Sequence, residues 1–430
     1  MCFGSLREDV EHELKHPTQP VPNVPPPVPH ATKPAPLPTR SPHGPHKITE
    51  TAIDVFLYSQ QENGEMGGIG YWQTANAYHA IVLHETYAGQ RVLFNRILPA
   101  MDKIASRVPH FINEFNDDTL WWAHCLLAIH PFVIGTPRQR WVNENLHAIW
   151  NHVSRYQLPP ARFLLPGMEK PDMGGAVMWT SRRDEEQVNS ITTGLFAALS
   201  ARLAVLFYSG TALPSGSEQQ KTAHRYIAAA EAGLGWILRE CYRERDKVVL
   251  DGVMLRSGKR NNWTFTYTTA VTISSMVALA TSYLAIPSYH KEAYAESKIS
   301  RACDLAQASM RREQWVEPST GILTEKGAYG RGSHDPWQNN DSVAFKSVLI
   351  RALCELRQTL TRDYDFGRFR DVRQEIDRFV ETQFKALQER NTNGRGQYGP
   401  WWDGPFEAPT GHSQLAILDV MAGAHCVGCR

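Results

Sequence analysis

Apolar residues recur every three or four positions along most of the chain. Ile48, Ala52, Val55 and Phe56 open the series; Ala75, Tyr78 and Val82 follow, then Ile97, Met101, Ile104 and Val108. The same spacing returns at Leu146, Ile149, Trp150 and Val153, at Val188, Ile191, Leu195 and Leu199, and at Val372, Ile376, Phe379 and Val380. Side chains at i, i+3 and i+4 share one face of an α-helix, so each run predicts a helix with a buried stripe, and about twelve helix-sized segments fit from Ile48 onward. Breakers and caps separate them, among them Pro137, Asp184, Pro214 to Ser217, Pro287 and Pro336. One stretch leaves this period. KVVLDGVML places two short β-branched runs around Asp251-Gly252, which predicts a β-hairpin. The fold class is therefore all-α. A long helical array with short connections stacks as a solenoid or closes into a toroid, and the pattern alone does not choose.

The N-terminal part is different. From Pro17 to Pro45 it reads PTQPVPNVPPPVPHATKPAPLPTRSPHGP, which offers few backbone donors and little to bury. Residues 1–46 are expected to be a disordered proline-rich tail and residues 47–425 the folded domain. The tail is a spacer, or, through VPNVPPPVP, a ligand for an SH3 or WW groove.

Composition narrows the function. The formal net charge is +1, from 45 basic and 44 acidic residues, so no basic field exists to follow phosphates and nucleic acid is not an expected partner. Seven scattered cysteines suit a reducing compartment. MCFGSLREDVEHELKH carries no apolar signal core, and no later run is read as long enough to span a bilayer, so a cytoplasmic location without a membrane span is expected. Cys426-Val427-Gly428-Cys429 has metal or redox spacing but lacks a second ligand pair. His79 and His84 miss the i, i+4 spacing of a metal pair, and His84-Glu85 lacks the second histidine of H-E-x-x-H. No metal site and no cofactor are expected. The glycines from Gly64 to Gly70 follow a helix rather than a strand, which excludes a phosphate loop.

Candidate chemistry gathers in the connections. NEFNDDTLWWAHCLLAIH, from Asn113 to His130, sets Asp117 and Asp118 before Trp121 and Trp122 at the start of an apolar helix. Acids at a helix start are favoured by the exposed N–H groups and the dipole, with or without a chemical role. Further aromatic and glycine-rich connections are Gly67-Gly68-Ile69-Gly70-Tyr71-Trp72, Gly174-Gly175 followed by Trp179, Asn262-Trp263 and Trp401-Trp402-Asp403-Gly404. Flat apolar rings beside amides and carboxylates suit a sugar, whose C–H patches pack on rings while its hydroxyls find polar groups. The alternative is that these rings anchor loops.

Taken together, these stretches resemble glycoside hydrolase family 76, the endo-α-1,6-mannanases and their fungal cell-wall relatives. The resemblance runs from about Ile48 to Ala424. FNDDTLWWAHCLLAI is similar to the family's catalytic segment, and GGAVMWTSRRDEEQVNSITTGLFAALSARLA to its GG-x-x-W…N-x-I-x-N-x-L-F block, with Asn189, Ile191, Leu195 and Phe196 in register. VVLDGVML, WTFTYTTAVTISSMVAL, NNDSVAFKSVLIRALCEL and WWDGPFEAPTGHSQLAILDVM resemble four further blocks. The resemblance implies an (α/α)6 toroid and a retaining glycosidase acting on α-1,6-linked mannan or mannooligosaccharides. By the match, Asp117 is the nucleophile and Asp118 the general acid/base. Asp251, Tyr267, Asp341 and the tryptophans Trp72, Trp121, Trp122, Trp179 and Trp402 are the candidate substrate ligands. One departure stands out: the family's Asn-Gln after Thr-Tyr is Thr268-Thr269 here. Either substrate amides have been lost or the block is a structural helix start. Competing readings are transglycosylation by the same chemistry, a non-catalytic mannan-binding scaffold on the same fold, and a sugar epimerase or lyase, for which no convergent set of histidines, tyrosines or basic residues is evident.

Overall fold

The computed structural model describes residues 45–429, apart from 165–166, 168–170, 183, 211–212 and 363–368. The proline-rich tail and its proposed SH3 or WW partner fall outside the described residues.

Among the described residues, twelve helices of three turns or more alternate between an outer and an inner layer. The outer ones are α1 (Pro45–Leu57), α3 (Phe94–Arg107), α5 (Pro137–Val153), α7 (Glu218–Trp236), α9 (Glu292–Arg311) and α11 (Arg370–Arg390). The inner ones are α2 (Tyr71–Ala88), α4 (Asn116–Val133), α6 (Ser190–Tyr208), α8 (Thr266–Ala285), α10 (Phe345–Arg362) and α12 (Gly411–Val427). Each inner helix packs on the next, α2 on α4, α4 on α6, and so on to α12, and α12 packs back on α2. That last contact settles what periodicity left open: the ring closes, and the fold is an (α/α)6 toroid.

The two layers differ in sequence for a physical reason. Outer α3 buries one stripe, Phe94, Ile97, Ala100, Met101 and Ile104, and exposes the rest. Inner helices are enclosed on nearly every side, so α6 runs SITTGLFAALSARLAVLFY with little polar face. Small residues let them approach: a Cβ on Gly194 of α6 would stand 2.8 Å from a Val271 methyl of α8. This revises the reading that no apolar run reaches membrane-spanning length. Helices α6 and α8 both reach it, yet 78% of each apolar window is buried inside the protein, which accounts for the composition.

Each outer helix returns the chain, so all six inner helices start at the same end of the ring. A small antiparallel sheet lies there. Strand β1 (Gln187–Asn189) leads into α6, with Asn189 capping that helix by accepting the Thr192 N–H at 3.1 Å. Strands β2 (Tyr242–Arg243) and β3 (Val248–Val249) form a separate pair, while β4 (Gly252–Met254) lies between β1 and β5 (Arg260–Asn261). A last pair, β6 (Val316–Glu317) and β7 (Ile322–Leu323), follows α9. The expected hairpin around Asp251-Gly252 is therefore not formed. The chain crosses there from one sheet to another, and neither residue takes the positive φ of a two-residue hairpin turn. Gly252 answers a different need: a Cβ would stand 2.4 Å from the Val188 carbonyl oxygen and 2.9 Å from Asn189 Cα.

Two glycines with opposite surroundings test this packing. Gly252→Ala is expected to destabilise by more than about 2 kcal/mol through the backbone clash. Gly235→Ala, in α7 with nothing within 4 Å of its Cβ position, should stabilise by about 0.5–1 kcal/mol. Urea unfolding midpoints of the two variants would separate these outcomes.

Candidate active site

Asp117 and Asp118 occupy the first turn of α4, at the end of the ring where the inner helices begin. The turn is held by the loop that follows Gly174-Gly175. The Asn116 N–H donates to the Trp179 carbonyl at 2.8 Å, the Asn116 side-chain amide to the Met178 carbonyl at 2.9 Å, and the Ser181 N–H to the Glu114 carbonyl at 2.9 Å. Gly175 allows that loop its close approach to α7, since its φ is +95° and a Cβ would lie 2.2 Å from the Ala232 carbonyl oxygen.

The two carboxyls are both partly accessible and differently held. Asp117 accepts the Asp118 N–H at Oδ1 (3.0 Å) and the Trp179 indole N–H at Oδ2 (3.1 Å). Asp118 accepts the Asn113 side-chain amide at Oδ2 (2.9 Å). Burial lifts the proton affinity of both. Asp117 is pushed up to about 7, with its two donors working against the burial. Asp118 is held well above the usual carboxylate range, by burial and then by the charge of Asp117. With two N–H donors against one, Asp117 is the better supplied of the two to carry negative charge.

Around them lie the other predicted polar groups. Asp251, buried, receives the Gln187 amide at 3.2 Å and the Asn261 amide at 2.8 Å, both on Oδ2, and burial pushes it up to about 6. The half-buried Tyr267 phenol is held above its usual value by burial and by the charges of Asp251, Asp117, Glu325 and Asp341, which places it among the acids. Asp341 is exposed, with Oδ1 3.1 Å from His412 Nε2. Its charge also raises Asp118.

Aromatic rings form a continuous track beside these groups. Trp72 stacks on Trp121 at 6.0 Å and meets Phe345 at 6.4 Å; Phe345 stacks on Tyr267 at 4.4 Å; Tyr267, Phe265 and Trp263 continue at 5.6 and 5.9 Å. Trp72, Phe345, Tyr267, Phe265 and Trp263 are each partly open to solvent.

Two tryptophans expected to bind substrate do not face this mouth. Trp122 is fully buried against Phe111 (4.8 Å), Tyr71 and Tyr78, because its position turns it toward the outer layer. Trp402 is buried beneath the Lys346 ammonium, which sits 5.2 Å from its ring. Trp121 is buried as well, behind Trp72. Trp179 reaches the site as a hydrogen-bond donor to Asp117 rather than as a stacking face alone. Thr268 and Thr269 are buried. The Thr268 hydroxyl donates to the Phe265 carbonyl at 2.8 Å, and Thr269 Oγ1 accepts the Val249 N–H at 3.4 Å, so they tie the start of α8 to β3. Of the two readings of that departure, the structural one holds.

Glu325 carries no local sequence signal. Its buried carboxylate accepts the Thr266 N–H and hydroxyl, each at 2.7 Å, capping α8 from a distant loop at a φ of +47°. Burial pushes it up to about 7, while Lys346, also buried, is pushed down to about 8. Phe345 has a local signal, an aromatic shortly after Asp341 at a helix start. Trp337, 64% exposed on the loop between β7 and α10, was also unanticipated.

A second space lies on the ring's axis, about 330 Å³, between the inner helices and below Trp121. His79, His124, Arg202, Arg351 and Glu355 line it, and the acid pair does not. His124 is held neutral by burial and Arg202. The cavity is distinct from the aspartate mouth.

The sequence matches the model of Glycosyl hydrolase family 76 over residues 46–426. No curated protein sequence matches it. Among solved structures it is similar to an inactive variant of the α-1,6-mannanase of Salegentibacter sp. HEL1_6 in complex with α-1,6-mannotriose (TM-score 0.67, 16% identity, covering 89% of this chain and 99% of that one). It is also similar to the family 76 α-mannanase of Bacteroides thetaiotaomicron (0.60, 12%, 89% and 96%) and to Dfg5 of Chaetomium thermophilum in complex with glucosamine (0.61, 16%, 89% and 90%). These likenesses concern the fold. The family match spans nearly the whole described toroid, and the chain belongs to glycosyl hydrolase family 76.

Proposed function

We propose that the chain hydrolyses α-1,6-linked mannan with retention of configuration, Asp117 serving as nucleophile and Asp118 as general acid/base. The observation that carries this reading is the unequal pair: two adjacent carboxyls at one mouth, Asp118 receiving one side-chain amide, from Asn113, and Asp117 receiving two N–H donors. In the first step Asp118 gives its proton to the departing glycosidic oxygen while Asp117 Oδ attacks the anomeric carbon, forming a glycosyl ester. In the second, Asp118, now ionised, takes a proton from water, whose oxygen attacks the same carbon and returns Asp117 as a carboxylate. The Trp179 and Asp118 N–H groups favour the ionised Asp117 on which attack depends.

Substrate binding is assigned to the aromatic track and to Asp251, Tyr267 and Asp341. Two amides on Asp251 Oδ2 orient that carboxylate and leave Oδ1 for a sugar hydroxyl. The choice of α-1,6-mannan is supported by family membership and by the Salegentibacter mannanase, which holds α-1,6-mannotriose on a similar fold. If a sugar hydroxyl replaces water in the second step, the same site elongates rather than hydrolyses.

Proton NMR of an α-1,6-mannan digest should show the α-anomer as first product, and products longer than the donor would reveal transfer. Asp117→Asn and Asp118→Asn should each lose more than about 10³-fold in kcat. With an aryl α-1,6-mannobioside and azide, the Asp117 variant should yield the β-mannosyl azide and the Asp118 variant the α-mannosyl azide. Full activity in either variant would end the assignment.

Stability should respond in the opposite sense. Both carboxyls bind their protons more tightly folded than unfolded, so stability is lost as pH rises from about 4 through the raised values. Asp118→Asn removes that cost. It should raise stability at pH 8 by roughly 1–3 kcal/mol and change it little at pH 4, as read from urea midpoints at the two pH values.

A further inference from the structure

Three histidines distant in sequence meet at the end of the ring away from the acid pair. His46 lies in the first turn of α1, His84 near the C-terminal end of α2, and His425 in the last turns of α12. One ring nitrogen of each lies within 4.8 Å of the other two. The rings do not form a simple stack. His84 and His425 meet edge to face at 4.6 Å, His46 and His425 edge to face at 5.7 Å, and His46 lies parallel to His84 at 6.0 Å.

His84 makes packing alone an incomplete account. It is fully buried, and neither Nδ1 nor Nε2 has a hydrogen-bond partner; His425 Nε2 is likewise buried without one. A buried imidazole with idle nitrogens is costly where a phenyl ring of similar size would not be. Something with affinity for lone pairs would repay that cost. His46 is poised to contribute from the open side. Its Nε2 lies 3.2 Å from Glu50 Oε1, which can accept its proton, beside the side-chain amide of Gln90, so Nδ1 is the nitrogen free to coordinate. A carboxylate on the far nitrogen is the usual support of a metal-binding histidine.

We propose that His46, His84 and His425 form a three-imidazole site for a divalent transition ion, zinc first, which staples the first helix of the toroid to the last. Imidazole suits zinc and its neighbours, whereas calcium and magnesium require oxygen ligands. Tetrahedral zinc with bonds near 2.0–2.1 Å needs nitrogens about 3.4 Å apart, a contraction of roughly 1 Å per ring. The half-exposed His46 leaves the fourth position open to water. The role is structural. Helix α12 packs on both α1 and α2, so the ion sits where the ring closes. The expectation of no metal site considered His84 beside His79 and Glu85 only, and its partners come from the two ends of the domain.

The test uses the full chain made without a polyhistidine tag, stripped with chelator and titrated with zinc chloride or cobalt chloride. Calorimetry should give one equivalent of zinc. The midpoint of thermal unfolding should rise by about 5 °C at zinc a thousandfold above Kd. Cobalt should show the intense visible bands of a four-coordinate ion. His84→Phe keeps the volume and should unfold no lower than the metal-free parent, yet lose affinity at least 100-fold; His46→Ala, at a half-exposed position, should lose a comparable factor even if the buried variant folds poorly. Asp118→Asn should bind zinc as the parent does. Absence of stoichiometric binding, or wild-type affinity in His46→Ala, which would place the ion elsewhere (at Cys426 and Cys429, for example), would overturn the proposal.

Discussion

The closure of the ring turns on one guanidinium. Arg351 of α10 donates from Nε and Nη2 to both oxygens of Asp419 on α12, at 2.8 and 2.9 Å, and from Nη1 to Asn76 Oδ1 on α2 at 2.6 Å. The same Nη1 lies 3.0 Å from His79 Nδ1. All of these groups except the half-buried His79 are buried, and together they belong to the last two inner helices and the first. Inner helices lined with alanine and glycine have smooth faces, so apolar burial favours contact without fixing how far one slides along the next. A planar fork does fix it, because both N–H vectors must meet both carboxylate oxygens. Such a buried pair adds little over an apolar isostere of equal size, but losing one partner typically costs 3–5 kcal/mol because the other charge is stranded. Its contribution is register: α12 must sit where α2 can receive it.

Register is what makes the mouth. With six inner helices starting at one level, residues from the beginnings of α2, α4, α8 and α10 fall around one opening: Trp72, Asp117 and Asp118, Tyr267, and Phe345 with Asp341 just before it. The helix ends favour negative charge there, while burial opposes it, and at Asp117 and Asp118 burial prevails, raising both. Glu325 shows the same conflict on α8. A charged cap recruited from another loop, on a backbone with positive φ, is a costly way to end a helix when Asn189 and Ser217 cap α6 and α7 locally. It places a carboxylate close enough to raise Tyr267.

What the sequence revealed follows from the range of the interactions that carry it. The helices were legible because i, i+3 and i+4 contacts are local, and the acid pair was legible because two adjacent residues need only one helix start. Periodicity left the choice of solenoid or toroid open, since it depends on α12 meeting α2, and it was the family resemblance of several ordered blocks that pointed to the toroid. The tryptophans failed for a related reason. Trp121 and Trp122 are neighbours, yet their side chains diverge by about 100° on the helix, so one stands behind the mouth and the other in the interlayer core. Asp251-Gly252 has the composition of a hairpin turn. Only the pairing of β4 with β1 and β5 shows that Gly252 is there for the close backbone of Val188 and Asn189. Glu325 and the His46–His84–His425 cluster are assembled from segments with no sequential link, and no local pattern encodes them.

The Thr268-Thr269 departure can now be weighed physically. Both hydroxyls are spent inside the protein, one on a backbone carbonyl and the other on a strand N–H, and both side chains lie out of solvent. A residue so placed touches no sugar, so the change does not subtract a ligand from the mouth. It acts on the seam between α8 and β3, and that seam positions two groups that do line the site: Tyr267, next in sequence, and Asp251, two residues beyond Val249. The threonines therefore bear on the site through the seam that carries Asp251 and Tyr267, not by standing at the mouth themselves.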